Sequence, residues 1–351
     1  MSVPSDGLLT FRPHYEERVW GGRRLEGLGR KLPPDVPIGE SWELSAIPGR
    51  ASVVDRGSLA GLPFDELLAR AGEQILGDSH RSAAPGSFPL LLKLLDSQEP
   101  LSVQVHPDDA LAVEIEGPGP GSVGKTEAWV ILDAEPGAEI IHGWADGVDG
   151  EEGTRALESA QGGRLPSELE HSLFRWVPVQ RGDVVYVPAG TVHALGAGVM
   201  LFEFQQSSDL TYRLYDWGRK NSEGQGRELH LEKARRVKRI PRIDCPVARV
   251  ESSDLSDGQS EAATLVESNR FVTEGVRLGR KARYSSSTVR DGRSGYRIVF
   301  GWEGQLRIRT ENDELDVPPY TSVLVPASAG DFTLEPVPGI GGAVGLVLRG
   351  P

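Results

Sequence analysis

Four short segments carry residue types that could do chemistry together. In SVQVHPDD, residues 102–109, a strand would set Ser102, Gln104 and His106 on one face and Val103 and Val105 on the other. In GKTEAWVIL, residues 124–132, Lys125 and Glu127 share a face. GDVVYVPAGTVHAL, residues 182–195, reads as a strand that enters a Pro188-x-Gly190 turn and emerges at His193. MLFEFQQSSDLTYRLYDWGR, residues 200–219, sets Glu203 and Gln205 opposite Phe202 and Phe204, and Arg213 alternates with Tyr212 and Leu214. Taken singly, the first two segments are also what a solvated polar strand or an exposed ion pair would look like. Together, His106, Glu127 and His193 make two imidazoles and one carboxylate, and Gln104 can add a carbonyl oxygen. That set suits a divalent metal such as zinc, with a position left for water or substrate.

The elements that must position these residues are mostly strands. Apolar spacing and a Gly stop predict a helix over 63–77, and helical patterns recur around 152–174 and over 228–239. LLTFRP, ESWELSAI, PLLLKLLDS, PLSVQVHP, KTEAWVILDA, FRWVPV, DVVYVPAG, VMLFEFQQ and TYRLYDW read as extended pieces. From residue 263 to the end only strands and turns are expected. A boundary near residue 244 then divides the chain into 1–244, carrying the candidate metal residues and the helical insertions, and 245–351, a second β barrel without them. The Gly182, Pro188, Gly190, His193 spacing matches the second cupin motif, so a mainly β, cupin-type jelly-roll is expected for the fold. TSVLVPASAGDFTL echoes it, with Pro326, Ser328 and Asp331 where the first copy has Pro188, Gly190 and His193, which suggests two related barrels.

The whole chain narrows the partners. Its 351 residues carry 38 Lys+Arg against 51 Asp+Glu, a net charge of −13 with no basic run. Nucleic acid and anionic lipid are therefore poor partners, and an anionic substrate must be attracted by a local cluster. The single cysteine, Cys245, allows no internal disulfide. No signal peptide and no apolar run of membrane-spanning length is evident, so a cytoplasmic location is expected. His14, His80, His142, His171 and His230 have no partner pattern and read as surface or core residues.

QVHPDD, GKTEAW, VPAGTVHAL and FEFQQSSDLTYRLYDW resemble the signature segments of class I mannose-6-phosphate isomerases, in the shorter bacterial form that lacks a large helical insertion. RVWGG and GESWELS, residues 18–22 and 39–45, are similar to that family's N-terminal segments, and the resemblance weakens after residue 245. It implies one zinc ion per chain, held by Gln104, His106, Glu127 and His193. It also implies an active-site arginine at Arg213, a lysine beside the metal glutamate at Lys125, and a substrate-binding serine at Ser102. The second barrel is implied to be structural.

The implied reaction moves a proton between C1 and C2 of a sugar phosphate, mannose 6-phosphate to fructose 6-phosphate, through an enediol. A metal holding both oxygens would stabilise the developing negative charge, with Arg213 as a fixed donor. Lys125 and Glu203 are the candidate bases, and the residues do not choose between them. The phosphate is expected near local cations such as Arg213 or Lys93, together with Ser102. Two other readings compete. Two histidines and a carboxylate also form the facial triad of non-haem iron oxygenases. A non-enzymatic sugar-binding cupin would keep the fold and the metal, without needing both a base and Arg213. Oligomeric state is open.

Overall fold

A computed structural model describes residues 7–350, apart from 83, 85, 120, 161, 221–222, 238–241 and 253. Its strands form two sandwiches of antiparallel sheets. In the first, a seven-stranded sheet runs in the order Ala248–Arg249, Asp183–Val187, Glu127–Ala134, Val199–Gln206, Leu90–Ser97, His14–Gly22, Ile38–Leu44. The Ile38–Leu44 strand also pairs directly with Leu90–Ser97. A five-stranded sheet accompanies it, in the order Tyr212–Tyr215, Val103–Val105, His193–Leu195, Glu139–Trp144, Phe174–Pro178. The mainly β jelly-roll expectation is met.

The second sandwich pairs a five-stranded sheet, whose middle strands are Val272–Leu278, Ala343–Arg349 and Arg297–Glu303, with a four-stranded one. The chain crosses between the halves at both ends. Ala248–Arg249 still edges the first large sheet, and Leu9 pairs with Leu324 of the second sandwich.

Strand alternation explains how the two sandwiches meet. Phe202 and Phe204 point away from the interior of the first sandwich and pack on Phe300 and Phe271 of the second. The Phe202 and Phe300 rings stack at 3.9 Å, nearly parallel. Burial of such rings on both partners is what welds two sheets into one apolar seam. Glu203 and Gln205, one step along the same strand, are thereby turned to the opposite face.

The helices follow the periodic segments: Phe64–Leu76, Gly150–Ser159, Ser167–Leu173 and Leu231–Arg236. The expected helix over 228–239 is shorter, because His230 belongs to the turn that closes on Arg213, its N–H donating to the Arg213 carbonyl at 2.7 Å. Residues 238 and 239 of that expectation lie outside the described residues. Near the candidate site, a helix and a strand had not been expected. The helix Asp109–Glu116 starts where the Asp108 side chain caps the Leu111 N–H. The strand Glu139–Trp144 brings His142, fully buried, alongside His193.

Candidate metal centre and catalytic cavity

The three-strand register of the smaller sheet lays out one row of the site. Gln104 is the direct partner of His193 on one side and of Arg213 on the other. Directly opposed residues project from the same face, so the three side chains stand in a line across the sheet. The larger sheet supplies the facing wall. Glu203 is paired with both Lys93 and Trp129, Lys93 also with Trp42, and Glu127 lies opposite Gln205.

Backbone contacts tie the motifs together. The Gly190 N–H donates to the His106 carbonyl at 2.9 Å, so the Pro-x-Gly turn is pinned to the end of the His106 strand. The Lys125 N–H donates to the Pro107 carbonyl at 3.0 Å. Asp109 accepts from the Gly124 N–H at 2.7 Å and from the Gln206 side chain at 3.0 Å. Gly124 has to be glycine: a Cβ there would lie 2.5 Å from the Asp109 nitrogen.

His106, Glu127 and His193 converge, with ligand atoms all within 4.8 Å of one another. His193 Nε2 is 3.2 Å from Glu127 Oε1, and His106 Nε2 is 3.6 Å from Oε2. The Gln104 amide reaches His193 Nε2 at 3.3 Å. Both imidazoles use Nδ1 on a backbone carbonyl, His106 on Leu210 at 2.8 Å and His193 on Thr191 at 2.9 Å. Nδ1–H is therefore the donor, and the Nε2 lone pairs point at the same space. Burial holds both rings neutral, His193 down to about 4 and His106 well below its ordinary value, with the Lys125 charge pushing the same way. The two Glu127 oxygens are fully buried and accept no well-aligned hydrogen bond. A buried carboxylate whose one close cation is Lys125, and which faces two neutral Nε2 atoms, fits a divalent cation. Among the described residues this is the one such cluster.

A cavity of about 520 Å³ opens beside it, lined by Ser102, Gln104, Lys125, His193, Glu203 and Arg213, with Lys93 in its wall. All the residues singled out in the sequence are thus brought to one place, His106 and Glu127 in contact with that lining. Lys125 Nζ is 2.7 Å from Glu127 and 3.1 Å from His106. Arg213 donates from Nε to the Ser102 hydroxyl at 3.3 Å. Glu203 accepts from the Trp129 indole at 3.1 Å, but its Oε1 accepts none. Burial first, and the Glu127 charge second, raise the Glu203 carboxyl.

Lys93 is held between Glu203 at 3.4 Å and Glu40 at 3.2 Å, over the Trp42 ring. Burial alone would raise Glu40, yet Lys93 and Arg18 outweigh it and hold this carboxyl down at about 2. Glu40 and Arg227, both in the cavity wall, had not been singled out. Glu40 was legible as the polar member of the GESWEL alternation. Arg227, in a turn with no period, offered no such signal.

The family profile described as phosphomannose isomerase type I, catalytic domain, matches residues 8–120. The mannose-6-phosphate isomerase ManA of Bacillus subtilis is 42% identical over 333 residues, covering 93% of this chain and 95% of its own. The chain belongs to the mannose-6-phosphate isomerase family. A second mannose-6-phosphate isomerase, from Streptococcus mutans, is 38% identical over 88% of this chain and 92% of its own. In solved structures, the mannose 6-phosphate isomerase of Bacillus subtilis superposes with a TM-score of 0.76 at 30% identity, covering 98% of this chain and 99% of that one. The resemblance to mannose-6-phosphate isomerases therefore extends beyond the motifs, through the second barrel. No helix among the described residues is long and apolar enough to cross a membrane.

Proposed function

We propose that the chain interconverts mannose 6-phosphate and fructose 6-phosphate in this cavity, with His106, Glu127, His193 and Gln104 holding one zinc ion. The observation that carries the reading is the buried Glu127 carboxylate, paired with Lys125 and facing two neutral imidazoles at the end of a polar cavity. Zinc suits this nitrogen and oxygen donor set, and when bound it would act as a Lewis acid toward the C1 and C2 oxygens.

The chain's own residues do the rest. Arg213, braced by Ser102 and by the Glu228 carbonyl at 2.8 Å, presents a fixed cation to the oxygen that gains charge. Glu203 is favoured as the proton carrier. Its carboxyl is raised, its Oε1 accepts no hydrogen bond and meets Lys93 only at 3.4 Å, and it lines the cavity. Lys125, close to Glu127 and His106, is the alternative carrier and balances charge at the metal centre. Lys93 serves Glu203 and Glu40 rather than the phosphate. The 1–244 portion supplies the chemistry and 245–351 the support. A single thiol and the nature of the substrate favour the cytoplasm.

The test is a coupled assay of mannose 6-phosphate conversion on chelated protein, repeated after stoichiometric zinc. Activity should vanish and return. Activity that survives complete metal removal would overturn the zinc assignment. Iron in the purified protein with oxygen consumption would favour an oxygenase.

A further inference from the structure

We propose that Arg227, presented by Asp216 beside Arg213, anchors the phosphate of the substrate. The proposal rests on the sugar-phosphate reading above and extends it to a residue outside the recognised motifs.

Asp216 is buried and organises the turn after the Arg213 strand. Arg227 grips both of its oxygens, through Nε at 2.8 Å and through Nη2, and Arg219 binds it through Nε at 3.2 Å and through Nη2. Arg219 is also spent on the Pro100 carbonyl at 2.7 Å. The turn itself is tight. Trp217 and Gly218 are both left-handed, and a Cβ on Gly218 would lie 2.6 Å from the Arg164 nitrogen. The Trp217 indole N–H donates to the Leu101 carbonyl at 2.7 Å, one residue before Ser102. The turn is therefore fastened to the strand that carries Ser102 and Gln104.

The result is three guanidinium groups around one buried carboxylate, a local excess of positive charge on a chain whose net charge is −13. Gathering like charges is costly. Arg213 is pushed below its ordinary value, by burial first and by Arg227 next. The Glu228 carboxylate nearby points to solvent, and Asp209 across the cavity is already paired with Arg50 at 2.7 Å. Arg213 and Arg227 line the cavity, with Arg227 one-third exposed at its mouth. Asp216 takes Nε and Nη2 of Arg227 and so fixes its plane, which leaves Nη1 as the donor it can offer to an oxyanion.

The experiment measures inorganic phosphate binding to the zinc-loaded protein by calorimetry, alongside mannose 6-phosphate turnover. Arg227→Ala should weaken phosphate roughly tenfold or more. It should also raise KM for mannose 6-phosphate far more than it lowers kcat. Should Arg227→Ala lose its fold by circular dichroism, Arg227→Gln, which can still hydrogen-bond Asp216, carries the same test. Phosphate affinity within twofold of wild type in a folded Arg227 variant overturns the proposal. Wild-type protein that binds phosphate through Arg227 yet never converts mannose 6-phosphate leaves the anion site standing and removes the isomerase reading.

Discussion

The two sandwiches share a frame and differ in what fills it. In the first, the face of the Val199–Gln206 strand turned inward carries Glu203 and Gln205, opposite Lys93, Glu127 and Trp129. In the second, the interior is closed by Val299, Val323, Val347, Phe332 and Leu334. The outward face of the Val199–Gln206 strand is pressed on the second sandwich, Phe202 on Phe300 of the Arg297–Glu303 strand and Phe204 on Phe271, just before the Val272–Leu278 strand. One barrel therefore holds buried charge beside an apolar cluster that includes Ile131, Ile140, Val187 and Leu201, while the interior of the other is filled by packing. Buried charge without a partner is strongly unfavourable, so the first barrel gains stability from ion pairing and from any bound cation. The second needs neither. That contrast explains why a site can persist in only one of two similar sandwiches.

The contrast can be broken deliberately. His193→Ala should abolish metal retention and turnover together, the largest effect expected, read by metal content after dialysis and by the coupled assay. Full activity with equal metal content in this variant would dissolve the assignment. Arg213→Ala should keep the metal and lower kcat by about 10²–10³, since it removes one fixed donor from the cavity. A turnover close to wild type would remove Arg213 from the mechanism.

The second barrel should respond the other way. Phe332→Ala is expected to cost about 3–5 kcal/mol in denaturant unfolding while metal content per folded chain stays unchanged. Loss of metal from the folded variant would show that the two interiors are coupled. The smallest effect concerns pH. Glu40 is held at about 2, below its ordinary 4.5, so its ion pairs add stability that is fully present above about 4.5. That stability is lost as pH falls toward 2, roughly 3 kcal/mol over the window. In Glu40→Gln this part of the acid dependence should flatten, and an unchanged acid curve would discount the Lys93 and Arg18 pairing.

Much of the candidate site was legible from strand alternation. Ser102, Gln104 and His106, Lys125 and Glu127, and Glu203 and Gln205 each followed from a two-residue period, which is a local property of extended backbone. The Phe202 and Phe204 face was legible for the same reason. Two elements escaped. EIIHGW, the strand holding His142, has an apolar pair followed by His, Gly and Trp and no alternation to read. The helix at 109–116 hides behind the Asp108 and Asp109 pair, of which Asp108 caps the helix and Asp109 holds the Gly124 N–H, roles that only become visible in place.

By itself, then, the sequence determined which residue types could meet a metal and which face of each strand they would occupy, because side-chain direction repeats within a few residues. Only the tertiary structure decided that Gln104, His193 and Arg213 form one row, since register between strands is set by pairing across long stretches of chain. It also decided that Lys93 is closed off between Glu40 and Glu203, and that Arg227 returns through a turn to stand beside Arg213. Those are contacts between charges distant in the chain, whose energies depend on distance and burial, and neither quantity exists until the sheets have closed.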